Sequence, residues 1–282
     1  MPVPDARSSA DALDALRAHT PLVQSLTNIV SANFLTNVLL AAGATNAVID
    51  NPHEAGGFAA IADAVLINLG TPTDEQAEAF SLAADGATAA GTPWVLDPVG
   101  VGGLPWRTEL AAGLLERRPT AIRGNPSEIL ATAGLRGAAG HGGGRGVDSG
   151  SDAADAVGAA VALLEVTEAV SASGPVDHVT GYTTEGEVVT VLVPGGSPLL
   201  AKVTATGCSL GALAAAYLAV TPDPLTGLVA AHVHVAVAAE AAERVALGPG
   251  TFVPAFLDAL ASVGPDEVRS APVSTKGRYS DS

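Results

Sequence analysis

Cys208 is the only cysteine in the sequence, and it lies within KVTATGCSLGALAAAYLAV (residues 202–220). The small-residue stretch before it feeds a long apolar run, a pattern that reads as a tight turn entering a helix. The first turn of a helix presents unpaired N–H groups and a partial positive charge. That setting stabilises the negative charge that develops on a phosphoryl group in transfer. A thiol at such a mouth can have a lowered pKa and accept a proton. The plainer reading is a small buried residue packing the helix start.

Other polar residues gather where short apolar runs end. In RGNPSE (residues 123–128), Arg123 leaves a strand with a guanidinium able to fork onto phosphate oxygens. Asn125 and Glu128, three apart at a helix start, can share one side and hold a water-rich Mg²⁺ that bridges phosphates. Equally, Asn125 caps the helix, Pro126 takes its first position and Glu128 completes a reciprocal cap. The two readings are compatible, because a capped helix mouth is also an anion site. In LDPVGVGG (residues 96–103), Asp97 follows an apolar strand and precedes a glycine loop, where it can ligate Mg²⁺ or brace the loop. INLGT, containing Gly70, and VTG, containing Thr180, end two further strands. SLTNIVSANFLTN carries Asn28, Asn33 and Asn37, whose amides suit a neutral heterocycle or a hydroxyl but also serve as caps. His232 and His234, two apart, fall on different helical faces and read as packing or surface residues. His141 receives no role.

These residues need a frame that brings strand ends together. Strands are predicted at residues 46–49, 64–69, 93–97, 120–123 and 177–180. EVVTVLV follows as a strand that pairs with a neighbour through a short connection. Helices are predicted at residues 33–42, 73–90, 107–117, 126–133, 152–172, 207–220, 224–247 and 252–262, after a short amphipathic helix at the N-terminus. The alternation predicts an α/β fold, a mostly parallel central sheet flanked by helices on both faces. Ligands gather beyond the carboxyl ends of parallel strands, where loop amides and helix N-termini converge. No linker or repeat divides the chain. One domain over residues 1–263 is expected, with a glycine-rich loop at residues 138–150 and a mobile tail from Gly264.

Composition narrows the function. The net charge is −16, from 29 acidic and 13 basic residues. Such a field repels nucleic acid and anionic lipid, so neither is an expected partner. One cysteine forms no intrachain disulfide. The N-terminus lacks an export pattern, and the longest apolar run is short of the ~20 residues of a bilayer span, so a cytoplasmic protein is expected.

Taken in order, PLVQSLTNIVSANFLTNVLLAAGA, PWVLDPVGVGG, AIRGNPSEI, VTG and KVTATGCSLGALAAAY resemble the hydroxyethylthiazole kinase family, across about residues 21–252. The resemblance implies a ribokinase-like fold and ATP-dependent, Mg²⁺-assisted phosphorylation of 4-methyl-5-(2-hydroxyethyl)thiazole in thiamine salvage. It further implies a homotrimer with sites between subunits. By motif it implies ATP contacts at Arg123, Thr180, Asn125 and Gly207, and Mg²⁺ at Asp97 and Glu128. The thiazole is expected near Asn28, Val48, Gly70 and Ala205. Cys208 resembles the cysteine that such kinases carry where other ribokinase relatives have an aspartate base. Gln24 and Val48 stand where the family usually has histidine and methionine. Ala205 replaces the first glycine of the anion turn, so its Cβ either crowds the substrate or changes the backbone angle. Two alternatives stay open: another ribokinase-like kinase of a small hydroxyalkyl heterocycle, and a nucleotide-binding regulator without turnover.

Overall fold

The computed structural model describes residues 3–137 and 152–279; the glycine-rich segment and His141 lie outside them. The described strands form one nine-stranded sheet ordered β2-β1-β3-β4-β5-β6-β7-β8-β9. The parallel part comprises β1 (Leu22–Leu26), β2 (Thr45–Ala47), β3 (Ala64–Asn68), β4 (Trp94–Asp97), β5 (Ala121–Gly124) and β6 (Ala169–Ala172). Antiparallel β7 (Val176–Tyr182), β8 (Val188–Pro194) and β9 (Ser274–Tyr279) complete it. β3 and β6 are buried throughout, as expected for strands covered on both faces.

Two helical layers cover the sheet. On one face pack α1 (Ala6–His19), α2 (Ala32–Ala42), α8 (Thr206–Leu218), α9 (Pro224–Glu243) and α10 (Pro249–Ser262). The other face carries α4 (Asp74–Ala90), α5 (Pro105–Leu115), α6 (Pro126–Gly134) and α7 (Val157–Leu163), with short α3 (Ala55–Ala59) beside α4. α8 is buried continuously from Ser209 to Leu218 and lies against β1, β3 and β4. Its small residues let it come that close: a Cβ on Gly211 would stand 3.2 Å from Leu66 and 3.3 Å from Asp97 Oδ2. α9 is long and apolar enough to cross a bilayer, but most of it is buried inside the protein, as in a core helix.

Three expectations need correction. The helix predicted over residues 152–172 is a 3₁₀ turn (Ala153–Ala156), then α7, then β6. Ala169–Ala172 is drawn into the sheet by partners on both sides, β5 and β7, which overrides the helical preference of alanine. β1 escapes an apolar-run search because Gln24 and Ser25, both fully buried, interrupt it. The segment after Gly264, expected as a mobile tail, forms α11 (Pro265–Arg269) and β9 along the β8 edge.

Candidate active site

Parallel strands β3, β4, β5 and β6 deliver Asn68, Asp97, Arg123 and, just beyond β6, Ser173 to one edge of the sheet. The N-terminus of α8 brings Cys208 to the same place. A cleft of about 880 Å³ opens there, with Asp97, Arg123, Asn125, Glu128, Ser173 and Cys208 among its walls.

Asp97 is fully buried at its base. Its Oδ2 accepts an N–H of Asn68 at 2.7 Å and stands 3.8 Å from Arg123 Nη1, while Oδ1 has no partner. Burial pushes its carboxyl up to about 7; Glu128 adds to the rise, and Arg123 and the Asn68 hydrogen bond oppose it. Arg123 is itself buried, and its Nε and Nη2 donate to Ser173 Oγ at 3.2 and 2.9 Å. Gly207 allows the mouth of α8 to pass over this guanidinium, since a Cβ there would lie 2.9 Å from Nη1.

Both readings of Asn125 and Glu128 hold at once. Asn125 Oδ1 accepts the Glu128 N–H at 2.9 Å, and Glu128 Oε2 accepts the Asn125 N–H at 2.9 Å, a reciprocal cap on α6. Glu128 Oε1 accepts the Gly100 N–H at 3.1 Å, which ties the glycine loop after β4 to the same carboxylate. The capped pair nevertheless lines the cleft.

Cys208 is partly buried, and Asn28 Nδ2 lies 4.0 Å from its Sγ. The lowered thiol pKa expected at a helix mouth is not found. Burial pushes the thiol up, the nearby Asp97 adds to this, and Arg123, Asn68 and Ser31 oppose without cancelling it. Desolvation here outweighs the helix end. Asn28 Nδ2 also donates to Asn68 Oδ1 at 3.0 Å, so amides link thiol to carboxylate in the order Cys208, Asn28, Asn68, Asp97. The Gly70 N–H donates to the same Asn68 Oδ1 at 3.0 Å, and a Cβ on Gly70 would overlap Asn28 Nδ2. Ala205 keeps the left-handed backbone, with φ of 70°, so the missing glycine is met by strain of about 1 kcal/mol rather than by a new angle.

Thr180 does not join this set. It is fully buried in β7, with its hydroxyl paired to that of Thr190 at 2.9 Å. Because β7 runs antiparallel to β6, its carboxyl end points to the opposite edge of the sheet. The residue at the site is Ser173, in the Ser-Gly that ends parallel β6. Counting only ends of parallel strands would have found it. Val48, just past β2, is 40 % exposed and is not part of the cleft wall. Gln24 is buried, donating from Nε2 to Ile49 O and Ala55 O. Asn37 donates to Asn33, and the pair stays outside the site. Asn68, which joins Asn28 to Asp97, was missed because its strand-end motif gave no sign of the partners.

A family model described as the hydroxyethylthiazole kinase family matches residues 13–266. A hydroxyethylthiazole kinase from Rhodococcus erythropolis is 66 % identical to this chain over 93 % of it and 91 % of its own length. Among solved structures, the hydroxyethylthiazole kinase protein from Pyrococcus horikoshii superposes with a TM-score of 0.84 at 32 % identity, covering 95 % of this chain and 99 % of that one. A ribokinase-like superfamily protein from Enterococcus faecalis superposes with a TM-score of 0.56 at 11 % identity, covering 89 % of this chain and 95 % of its own, a likeness of fold alone.

Proposed function

This chain belongs to the hydroxyethylthiazole kinase family and has the ribokinase-like fold, and we propose that its cleft transfers the γ-phosphoryl group of ATP to the hydroxyl of 4-methyl-5-(2-hydroxyethyl)thiazole, a step of thiamine salvage. The observation that carries this reading is the convergence of Arg123, Glu128 and Cys208 on one cleft above Asp97. A buried guanidinium recognises phosphate oxygens, and the open N-terminus of α8 offers N–H groups to the charge that builds on the transferred group.

Mg²⁺ fits the donor set. Asp97 Oδ1 is a buried carboxylate oxygen without a partner, and Glu128 presents a second carboxylate in the same cleft. Among the described residues no three metal-binding side chains cluster, which suits an ion that takes most of its oxygens from phosphates and water. When bound, Mg²⁺ supplies neutralisation of phosphate charge, and Asp97 and Glu128 hold it.

Cys208, with its thiol pushed up by burial, acts as a neutral group. It orients the acceptor hydroxyl for in-line attack, supported by Asn28. A loose phosphoryl transfer transition state leaves the alcohol proton in place until late, so a strong base is not required. Asn28, Asn68 and Gly70 are buried behind the thiol, outside the lining of the cleft, and their mutual hydrogen bonds brace the acceptor side from beneath.

The working enzyme is a cytoplasmic homotrimer with acceptor sites completed between subunits. Support comes from Ile29, 91 % exposed although apolar, and from half-exposed Val30, both next to Asn28 in sequence. Light scattering that finds a monomer active at every concentration would remove the shared sites.

The deciding experiment incubates purified protein with ATP, Mg²⁺ and a panel of hydroxyalkyl thiazoles and pyrimidines, and follows ADP. Release that requires both Mg²⁺ and the thiazole supports the proposal. Turnover only with another heterocycle reassigns the acceptor, and ATP binding without turnover identifies a regulator.

A further inference from the structure

His232 lies behind the wall of the cleft, and Asp177, on that wall, connects it toward Arg123. The His232 side chain is completely buried on α9, and its Nδ1 stands 2.6 Å from Asp177 Oδ2. With a carboxylate as acceptor, Nδ1 is the donor. Asp177 Oδ1 in turn accepts the Gly174 N–H at 2.8 Å. Gly174 follows Ser173, whose hydroxyl oxygen receives two N–H groups of Arg123. An unbroken series therefore runs from buried imidazole to carboxylate, turn amide, hydroxyl and guanidinium.

The turn passes close to the start of the 3₁₀ segment at Ala153. Ala153 would sit 3.2 Å from a Cβ on Gly174. Ser173, Gly174 and Asp177 all border the cleft, as do Val235 and Ala236 one helical turn beyond His232. The imidazole also carries a cost: His232 Nε2 is buried without a partner. An apolar residue would avoid that cost on a helix whose neighbouring positions are alanine and valine. The bond to Asp177 is what the histidine gains in return.

We propose that His232 is a positioning residue: through Asp177 it fixes the Ser173–Gly174 turn, and that turn aims Arg123 at the phosphates of the nucleotide. The inference rests on the reading of the cleft as an ATP site. It places control of nucleotide affinity in a buried side chain of α9 that does not itself line the cleft.

The test uses the full-length enzyme and measures KM for ATP, KM for the thiazole alcohol, kcat and Tm. His232→Leu is expected to raise KM for ATP about tenfold, the loss of one hydrogen bond to a charged group, while KM for the alcohol and kcat stay within about twofold. His232→Asn carries an N–H close to the position of Nδ1 and is expected to recover most of the ATP affinity. If His232→Leu does not fold, Asp177→Asn takes its place, because its Oδ1 still accepts from Gly174 while the bond to His232 weakens; a rise confined to KM for ATP is expected again. An unchanged KM for ATP, equal shifts in both KM values, or an asparagine variant no better than leucine each overturns the positioning role. Calorimetry of wild-type protein with ATP separates the two levels: no binding sinks the ATP-site reading itself, whereas normal binding with an indifferent His232→Leu sinks only this inference.

Discussion

At the scale of single residues, Cys208 shows how environment decides chemistry. A helix N-terminus favours thiolate, yet Cys208 is held neutral by burial and by a carboxylate at close range. A neutral group that orients a hydroxyl contributes less than a general base. Cys208→Ala is therefore expected to lower kcat about tenfold, short of the ~100-fold or more typical of a lost acid–base group. Cys208→Asp, which accepts a proton more readily and suits the positive end of α8, is expected to retain or raise turnover. Steady-state kinetics of the three proteins checks both, and equal turnover in all three removes Cys208 from the mechanism. Much of this site was legible from residue types: Arg123, Asn125, Glu128, Asp97 and Cys208 do share one cleft. The sign of the thiol shift was not legible, because it depends on depth, and depth is set by how far α8 sinks toward β3 and β4.

At the scale of elements, α9 carries a second buried histidine with a different job. His234 Nε2 lies 3.1 Å from Leu260 O, and its Nδ1 lies 3.0 Å from the Tyr217 hydroxyl. A carbonyl only accepts, so Nε2 bears the hydrogen and Nδ1 accepts from Tyr217. Burial lowers the His234 pKa to about 4, below the unfolded value of ~6.5. The unfolded chain thus binds the proton more tightly. Stability from this group is complete above pH ~6.5 and declines as pH falls toward about 4, by about 3 kcal/mol in total. Urea unfolding at pH values between 7.5 and 4.5 is expected to show a steeper loss for wild type than for His234→Gln; parallel profiles would contradict the assignment. The sequence placed both histidines on a helix and left packing and surface equally open, since a fully covered helix has no polar face to orient it. Strand direction was equally invisible. Thr180 and Ser173 both look like polar strand ends, and only the reversal between β6 and β7 separates structural pairing from a place at the cleft.

At the scale of the whole molecule, the alternating pattern of runs was enough to indicate a parallel α/β sheet, and the hairpin partner at EVVTVLV appears as β8. What escaped was the edge. STKGRY is short and polar, with little apolar pattern to mark a strand, yet it covers β8, while Val268 of α11 is buried in the helical layer. Deleting residues 265–282 is expected to lower Tm by several degrees and promote self-association, because it exposes the backbone of β8 along an open edge. Size-exclusion chromatography and a thermal melt of the shortened protein check this. A monodisperse product with unchanged Tm would show that the last segment is dispensable.

From β4 onward, each strand lies beside the one that precedes it along the chain, whereas α8 returns from the far side of the sheet to lie over β1, β3 and β4. A nascent polypeptide emerging from the ribosome can consequently lay down its scaffold rib by rib, edge toward edge, long before it has anything to catalyse. The thiol-bearing segment follows eight of the nine strands along the chain, a keystone across β1, β3 and β4, and the acidic floor beneath it is roofed only once that segment is in place.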